Sequence, residues 1–300
     1  MTAITEDHTR RAMAKRDQWA RNRTILLLLL PGAGYLLFFF GLPLLRTVVG
    51  SFTNLDGVFT FDLWVELFSE PVYIDGLFFS LWLAIAPTVV ALVISVLLAA
   101  LLQATFPGRR IFGALYRIPL VVPGIVAAFL VMVMLDRGGM LSRIAEPLGI
   151  DLPRMVRDEW GIGAILASTW KNIPFMTLII GGAMSAINRD VLHAARTLGA
   201  GRLTVLLRIQ LPLALPGISA AVLLTFISSL GSYAIPNLLG PAYPLPLSVH
   251  MYEQGFRRGN WPIVYAMGTL LSVAAIFVLL AYYSLIGRLT GSHARREARS

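Results

Sequence analysis

Six stretches of this chain are each apolar enough to cross a lipid bilayer as a helix. Spanning the hydrocarbon core takes about 20 predominantly apolar residues. The six stretches are residues 24–49, 77–102, 118–135, 161–187, 213–240 and 262–286. Because lipid admits only helices and closed barrels, and because alternation with a period of two residues is absent, we predict an all-α membrane protein with six transmembrane helices. The third stretch is short and is interrupted by Pro119 and Pro123.

The composition supports a membrane protein over a soluble one. Charged residues make up 14% of the chain, apolar residues make up 57%, and the mean hydropathy is +0.73, whereas soluble domains carry about 25% charged residues. The first stretch follows a basic leader, as a signal peptide would. Its apolar run continues past Pro31 to Phe40 without an obvious cleavage site, which favours an uncleaved first helix.

The distribution of basic residues predicts the orientation in the membrane. The two tails and the second and fourth connecting loops hold 17 of the 25 Lys and Arg residues, the other three loops hold six, and Arg46 and Lys171 lie within the first and fourth stretches. Loops rich in Lys and Arg face the cytoplasm, so we predict cytoplasmic N and C termini. The predicted organisation is a basic tail (1–23), a transmembrane domain (24–287) and a second tail (288–300). This charge pattern explains the net charge of +9 without nucleic acid as a partner.

The residue types present argue against catalysis by this chain. It has no cysteine, and its only lysines, Lys15 and Lys171, do not follow glycine as a phosphate-binding loop requires. The histidines are too scattered for a metal site: His8, His193, His250 and His293. No nucleophile–base pair or metal cluster emerges. We therefore predict no catalytic residue, metal site or cofactor here, and any ATP must bind another polypeptide.

The fourth connecting loop, residues 188–212, has the pattern of two short helices joined by a tight turn. Asn188 is a suitable N-cap, and Leu192, Ala195 and Leu198 share one helical face. Gly199 and Gly201 are expected to provide positive φ angles. Pro212 marks the end of the second helix or a kink at re-entry into the membrane. The pattern alone leaves two interpretations: the pair rests on the lipid surface, or it docks on a partner.

This loop resembles the signature loop of permease subunits of binding-protein-dependent ABC importers. Ala194-Ala195 is followed after three residues by Gly199, and after nine more by Ile209-Gln210-Leu211-Pro212. His193 stands where that family usually has glutamate, which puts in doubt an ion pair at this position but not the docking. The resemblance implies a coupling helix that docks on an ATPase subunit. The residues it implicates are His193, Ala194, Ala195, Arg196, Leu198, Gly199, Ala200 and Arg202.

Within that superfamily the chain resembles permeases of the spermidine/putrescine type. The segments that carry this likeness are WKNIPF at 170–175, AARTLGA at 194–200 and GSYAIP at 231–236. The resemblance implies the type I importer fold in a bacterial inner membrane. It also implies three partners: an ABC ATPase homodimer that binds ATP and Mg, a second homologous permease, and a periplasmic or lipid-anchored solute-binding protein. Import of a small polar solute by alternating access is the expected function.

Polar residues inside the fourth and fifth stretches are candidates for the translocation pathway, because such residues are costly in lipid. The candidates are Lys171, Asn172, Ser228, Ser229, Ser232, Tyr233 and Asn237. Individual serines can instead serve helix packing. Lys171 is either a pathway residue or a side chain that snorkels or binds a loop carbonyl, and a carbonyl freed by Pro174 is a possible partner.

Two other functions remain open from the residues alone: a secondary transporter and a non-transport membrane scaffold. Proton or sodium coupling usually depends on carboxylates or histidines within the spans, and the six stretches contain none. The lack of carboxylates also predicts weak solute binding by the permease, or a neutral or anionic solute.

Overall fold

The computed structural model describes residues 24–25 and 27–297, with only the backbone described at residues 285 and 288–297. Within these residues the chain is helical apart from loops and one isolated β-bridge between Thr53 and Phe59. The helices in chain order are α1 (Leu27–Gly50), α2 (Asp62–Ser69), α3 (Pro71–Gln103), α4 (Arg109–Leu115), α5 (Ile118–Val121), α6 (Gly124–Leu135), α7 (Met140–Ala145), α8 (Ile162–Ser185), α9 (Arg189–Thr197), α10 (Arg202–Leu230), α11 (Ala234–Leu239), α12 (Leu247–Tyr252) and α13 (Trp261–Glu297).

Six helical segments account for the predicted spans. Five are long and apolar enough on their own: α1, α3, Gly124–Leu148, α10 and the first part of α13. The sixth, α8, meets the same description together with α9, from which it is bent by 73°. Its 24 residues give a length of about 36 Å, which is enough to cross the hydrocarbon core. Its hydropathy is lowered by Lys171 and Asn172. The prediction of an all-α protein with six transmembrane helices is confirmed.

Several boundaries differ from the predicted ones. Helix α3 begins at Pro71 rather than at residue 77, because proline is well suited to the first turn of a helix. Helix α13 continues through residues 288–297 of the predicted C-terminal tail, since no proline after Pro262 stops it. The predicted N-terminal tail, residues 1–23, and residues 298–300 lie outside the described residues.

The third span is divided at the prolines noted in the sequence. Helix α5 ends at Val121, Val122 is extended, and α6 begins after Pro123. The 12 residues of α6 extend about 18 Å, which is less than the hydrocarbon thickness. The apolar segment that qualifies as a span therefore begins at Gly124 and includes α7, so the predicted span 118–135 is wrong at both ends.

The fifth span is continuous with the loop that precedes it, which corrects the prediction that Pro212 ends or sharply kinks the helix. Residues Leu206–Gln210 form a π-helical turn, in which the Leu211 N–H donates to the Leu206 carbonyl. This wider turn lies where the proline ring would otherwise crowd the preceding carbonyl. Helix α10 runs on through the membrane and ends at Leu230, ten residues before the predicted end at 240.

Helices α3, α8 and α10 pack together at the cytoplasmic half of the bundle. Their shared core is built from alanines and longer apolar side chains: Ala91, Ala99, Met176, Ile180, Met184, Ala214, Ile218 and Ala221. Small residues permit close helix approach within a membrane. Helices α8 and α10 approach closely at Gly217, where an added Cβ would lie 2.3 Å from the Ala183 Cβ. Spans four and five are therefore in direct contact.

Gly217→Ala is expected to destabilise the protein, because the added methyl group overlaps Ala183. Overpacking of this kind costs about 1–3 kcal/mol. Thermal unfolding of the detergent-solubilised protein measures the effect. The double variant Gly217→Ala/Ala183→Gly moves the methyl group to the other helix and should recover most of the loss. If the double variant is no more stable than Gly217→Ala, this contact does not limit the approach of the two helices.

Short helices cover the outer ends of the spans. Leu67 of α2 and Leu247 of α12 pack with Met267 of α13 in one core. Ser80 joins α12 to α3 by accepting a hydrogen bond from the Leu247 N–H at 2.8 Å. His250 of α12 lies in this layer, and burial lowers the pKa of its imidazole, so the neutral form is favoured. The outer layer thus anchors the loop between spans five and six.

Candidate coupling hairpin and translocation path

The loop predicted to be a hairpin begins with a capped helix. The Asn188 side-chain oxygen accepts a hydrogen bond from the Asp190 N–H at 2.9 Å, as the sequence predicts, and Asp190 lies in the first turn of α9. A negative charge near the N-terminus of a helix interacts favourably with the helix dipole. The 73° bend between α8 and α9 turns α9 away from the direction of the span. Residues 188–212 therefore form a helix–turn–helix, and its second helix is the first part of α10.

The turn between the two helices is a Schellman motif. The Ala200 N–H donates to the Ala195 carbonyl at 3.0 Å, and the Gly199 N–H donates to the Arg196 carbonyl at 2.9 Å. Gly199 has φ of 86°, a left-handed conformation that favours glycine. Gly201 has φ of −68°, so the expectation of positive φ at both glycines is wrong for Gly201. One left-handed residue suffices, because the two hydrogen bonds already reverse the chain.

The tip of the hairpin presents apolar side chains outward. Leu198 is 89% exposed, although the sequence places it on one face with Leu192 and Ala195, which are half-buried. Leu198 lies at the helix end, where the chain departs from the helical path. Of the other predicted coupling residues, Ala200 is half-buried and the rest are exposed: His193, Ala194, Arg196, Gly199 and Arg202. Six of the eight predicted coupling residues are therefore exposed, and the other two are half-buried.

A hydrogen bond that the sequence does not predict joins the hairpin to the second span. Gln210 is buried in the π-helical turn, and its Nε2 donates to the Gln103 Oε1 at 3.1 Å. Gln103 is the last residue of α3. The two residues are 107 positions apart, so only the packing of α3 against α10 brings them together. Movement of the hairpin would therefore be transmitted to α3 as well as to α10.

The predicted pathway residues lie in two places. Some lie on α8 and α10 within the bundle, and the others follow the end of α10 at Leu230. The Asn172 Nδ2 donates to the Ser229 Oγ at 3.0 Å, which links spans four and five. Beyond the end of α10, the Ser248 Oγ donates to the Ser232 carbonyl at 2.7 Å. The Tyr233 ring lies 4.6 Å, centroid to centroid, from Tyr252. Two of the predicted residues are exposed: Ser228 on α10 and Asn237 on α11.

Lys171 has a defined partner. Its Nζ donates to the Val122 carbonyl at 2.6 Å, at the break between α5 and α6. This matches the interpretation that the side chain binds a loop carbonyl. The partner is therefore not a carbonyl freed by Pro174. A break in a helix within the membrane requires another group to satisfy its carbonyls, and Lys171 provides one.

Three buried hydroxyls lie within the spans without a partner among the described residues. They belong to Thr169, Thr177 and Thr225. No group of three or more His, Cys, Asp or Glu residues within the described ranges is placed to hold a metal ion.

Residues 91–292 match the protein family described as "Binding-protein-dependent transport system inner membrane component". The match includes the hairpin and the spans on both sides of it. The chain belongs to this family. The permease is accordingly a multi-pass protein of the inner membrane and a subunit of an ABC importer, as the loop resemblance predicts.

Two relatives show how far the likeness extends along the chain. The molybdenum transport system permease ModB of Escherichia coli (strain K12) is 30% identical over 204 residues, covering 65% of this chain and 85% of that protein. The spermidine/putrescine permease PotB of the same strain is 28% identical over 260 residues, covering 83% of this chain and 93% of that one. Similarity to the polyamine-type permeases is confirmed.

Solved structures share the fold. A chain of a bacterial ABC transporter involved in import of the acidic polysaccharide alginate superposes with a TM-score of 0.78 at 21% identity, covering 91% of this chain and 98% of that one. The methionine ABC transporter MetNI, in an inward-facing conformation, gives a TM-score of 0.56 at 22% identity, covering 71% and 94% of the two chains. At these identities the likeness establishes the type I importer fold and nothing further.

Proposed function

We propose that this permease forms half of the translocation pathway of an ATP-driven importer of a small polar solute. Its partners are an ABC ATPase homodimer that binds ATP and Mg, a second homologous permease, and a periplasmic or lipid-anchored solute-binding protein. The hairpin 188–212 is the docking element for one ATPase subunit, and this chain hydrolyses nothing itself. The observation that carries the proposal is the exposed, rigidly closed tip around Leu198 and Gly199.

The geometry of the hairpin suits force transmission. The Schellman turn joins α9 to α10 through two backbone hydrogen bonds. Helix α10 then runs without a break from the hairpin through span five. Displacement of the tip therefore moves a helix that crosses the membrane. Similar structures belong to ABC transporters, and the alginate transporter is also seen in complex with a substrate-bound periplasmic protein. This likeness supports the proposal that this permease also works with separate ATPase and solute-binding subunits.

Reconstitution tests the proposal. The permease is co-expressed with the ATPase, second permease and binding protein of neighbouring genes, and the assembly is placed in proteoliposomes. Uptake should require ATP and should stop when the phosphate-binding lysine of the ATPase is replaced. Uptake that proceeds without ATP on a proton or sodium gradient would instead identify a secondary transporter. An assembly that forms but carries no solute of its binding protein would favour a scaffold.

Gln210→Leu is expected to uncouple ATP hydrolysis from uptake, because it removes the hydrogen bond to Gln103 while keeping the volume of the side chain. A neutral hydrogen bond contributes about 0.5–1.5 kcal/mol, so we expect a roughly twofold to tenfold fall in solute carried per ATP hydrolysed. Gln103→Leu should give the same fall, and the double variant should be no worse than either single one. Additive losses would show that the two side chains act separately.

A further inference from the structure

A cavity of about 1010 Å³ opens at the cytoplasmic end of the bundle, between the ends of α3 and α8 and the segment that contains α4. The second connecting loop, which the charge distribution assigns to the cytoplasm, forms one wall. The polar residues that line it include Gln103, Arg109, Arg110, Arg117, Thr177 and Ser185. Gln103 also holds the hairpin through Gln210, so the cavity adjoins the element proposed to move with ATP hydrolysis.

The charged residues that line this cavity are all positive. Three arginines line it, and the described residues around it include no aspartate or glutamate. Across the described part of the chain, the Arg109 and Arg110 guanidinium groups have no ion-pair partner. Arg117 lies 5.5 Å above the Tyr116 ring and donates to the Tyr116 hydroxyl, which leaves other N–H groups of its guanidinium available. Guanidinium groups match the geometry of carboxylate and phosphate oxygens.

A buried hydroxyl in the same wall also lacks a protein partner. Thr177 is 2% exposed, and its Oγ1 accepts or donates no hydrogen bond within the described residues. Leaving such a group unsatisfied costs about 1–3 kcal/mol. A threonine in a helix commonly bonds a carbonyl of the preceding turn, as Thr88 does with Ala84. The Thr177 hydroxyl is therefore a polar group in the wall of the cavity that no described residue satisfies.

Membrane topology alone does not explain where the three arginines lie. Basic residues anywhere in a short cytoplasmic loop satisfy the orientation rule, and the four arginines of the hairpin loop do so without lining this cavity: Arg189, Arg196, Arg202 and Arg208. The arginines of the second loop converge on one space. A cationic solute would be repelled there, and the six predicted spans contain no carboxylate to hold it.

We propose that this cavity binds an oxyanion group of the carried solute, a carboxylate, a phosphate or an oxometallate, on its way to the cytoplasm. The permease therefore carries an anionic solute. This inference rests on the proposed function, and it narrows the class of solute. The names of the relatives do not decide the charge of the solute, because they include both a spermidine/putrescine permease and a transporter for the acidic polysaccharide alginate.

Arginine modification tests the inference on the intact transporter. The assembly with its ATPase is placed in nanodiscs of phosphatidylcholine and treated with phenylglyoxal, and labelling of each arginine is followed by mass spectrometry. Inorganic phosphate or citrate, compared with chloride at equal ionic strength, should slow labelling of Arg109, Arg110 and Arg117 by about fivefold or more. Arg157, which is exposed in the outer loop between α7 and α8, should be labelled at the same rate throughout.

A matched variant and a lipid control sharpen the test. Thr177→Val keeps the shape of the side chain and removes the hydroxyl, so phosphate should protect the three arginines less well in this variant. If neither anion protects them, the inference is overturned. If protection appears only when phosphatidylglycerol is added to the discs, the cavity holds a lipid headgroup and the inference is also overturned. An assembly that still performs ATP-driven uptake but shows no protection refutes this inference alone and leaves the proposed function intact.

Discussion

Leu198→Asp should release the ATPase subunits from the permease and abolish ATP-driven uptake. Leu198 is 89% exposed at the tip of the hairpin, and full burial of a leucine side chain contributes about 1.5–3 kcal/mol. Loss of that contribution corresponds to an association constant about 10-fold to 100-fold lower, and burial of an unpaired carboxylate adds to the loss. The amount of ATPase that co-purifies with the tagged permease in detergent measures the effect.

The control for this variant is Leu55→Asp. Leu55 is 75% exposed in the first outer loop, so the same substitution there changes charge and hydropathy without reaching the ATPase. It should leave co-purification and uptake unchanged. If Leu198→Asp retains the ATPase as well as Leu55→Asp does, the tip of the hairpin is not a docking surface, and residues 188–212 instead rest on lipid.

Lys171→Met should destabilise the permease, because the Val122 carbonyl loses its charged donor at the break in the third span. Hydrogen bonds to charged groups contribute about 1.5–3 kcal/mol. The free energy of unfolding should fall toward the lower end of that range, since methionine also removes the cost of holding an ammonium within the bundle. Unfolding in detergent measures this, and uptake by the reconstituted transporter is followed in parallel.

Lys171→Arg separates the two interpretations of this residue. Arginine retains a positive charge and N–H donors, so stability and uptake should both recover in large part if the side chain anchors the Val122 carbonyl. A Lys171→Met variant with wild-type stability and strongly reduced uptake would contradict the anchoring role. That result would support a role for Lys171 in the pathway.

Local features of the sequence were sufficient to predict the span number and the hairpin. Apolar length identifies the spans because lipid leaves the backbone few alternatives. The N-cap at Asn188 and the turn at Gly199 depend on residues within a few positions of each other, so both were predictable. The spacing from Ala194 to Pro212 identified the family before the fold was known.

Features that depend on distant parts of the chain were not predictable. The partner of Lys171 is 49 positions away, and that of Gln210 is 107 away. The start of span five was misplaced because a π-helical turn accommodates Pro212, and no residue type marks such a turn. The convergence of Arg109, Arg110 and Arg117 on one cavity likewise arises from packing.

The most direct test of the central claim, that the hairpin is a cytoplasmic docking element for an ATPase, is the labelling of a single cysteine at its first helix. The chain has no cysteine, so Ala194→Cys introduces the only thiol in the permease, at an exposed position. A membrane-impermeant maleimide should label it in inside-out vesicles stripped of ATPase, and added ATPase subunits should slow labelling about tenfold or more. Labelling from the outer face of intact spheroplasts, or an unchanged rate with the ATPase bound, would contradict the claim.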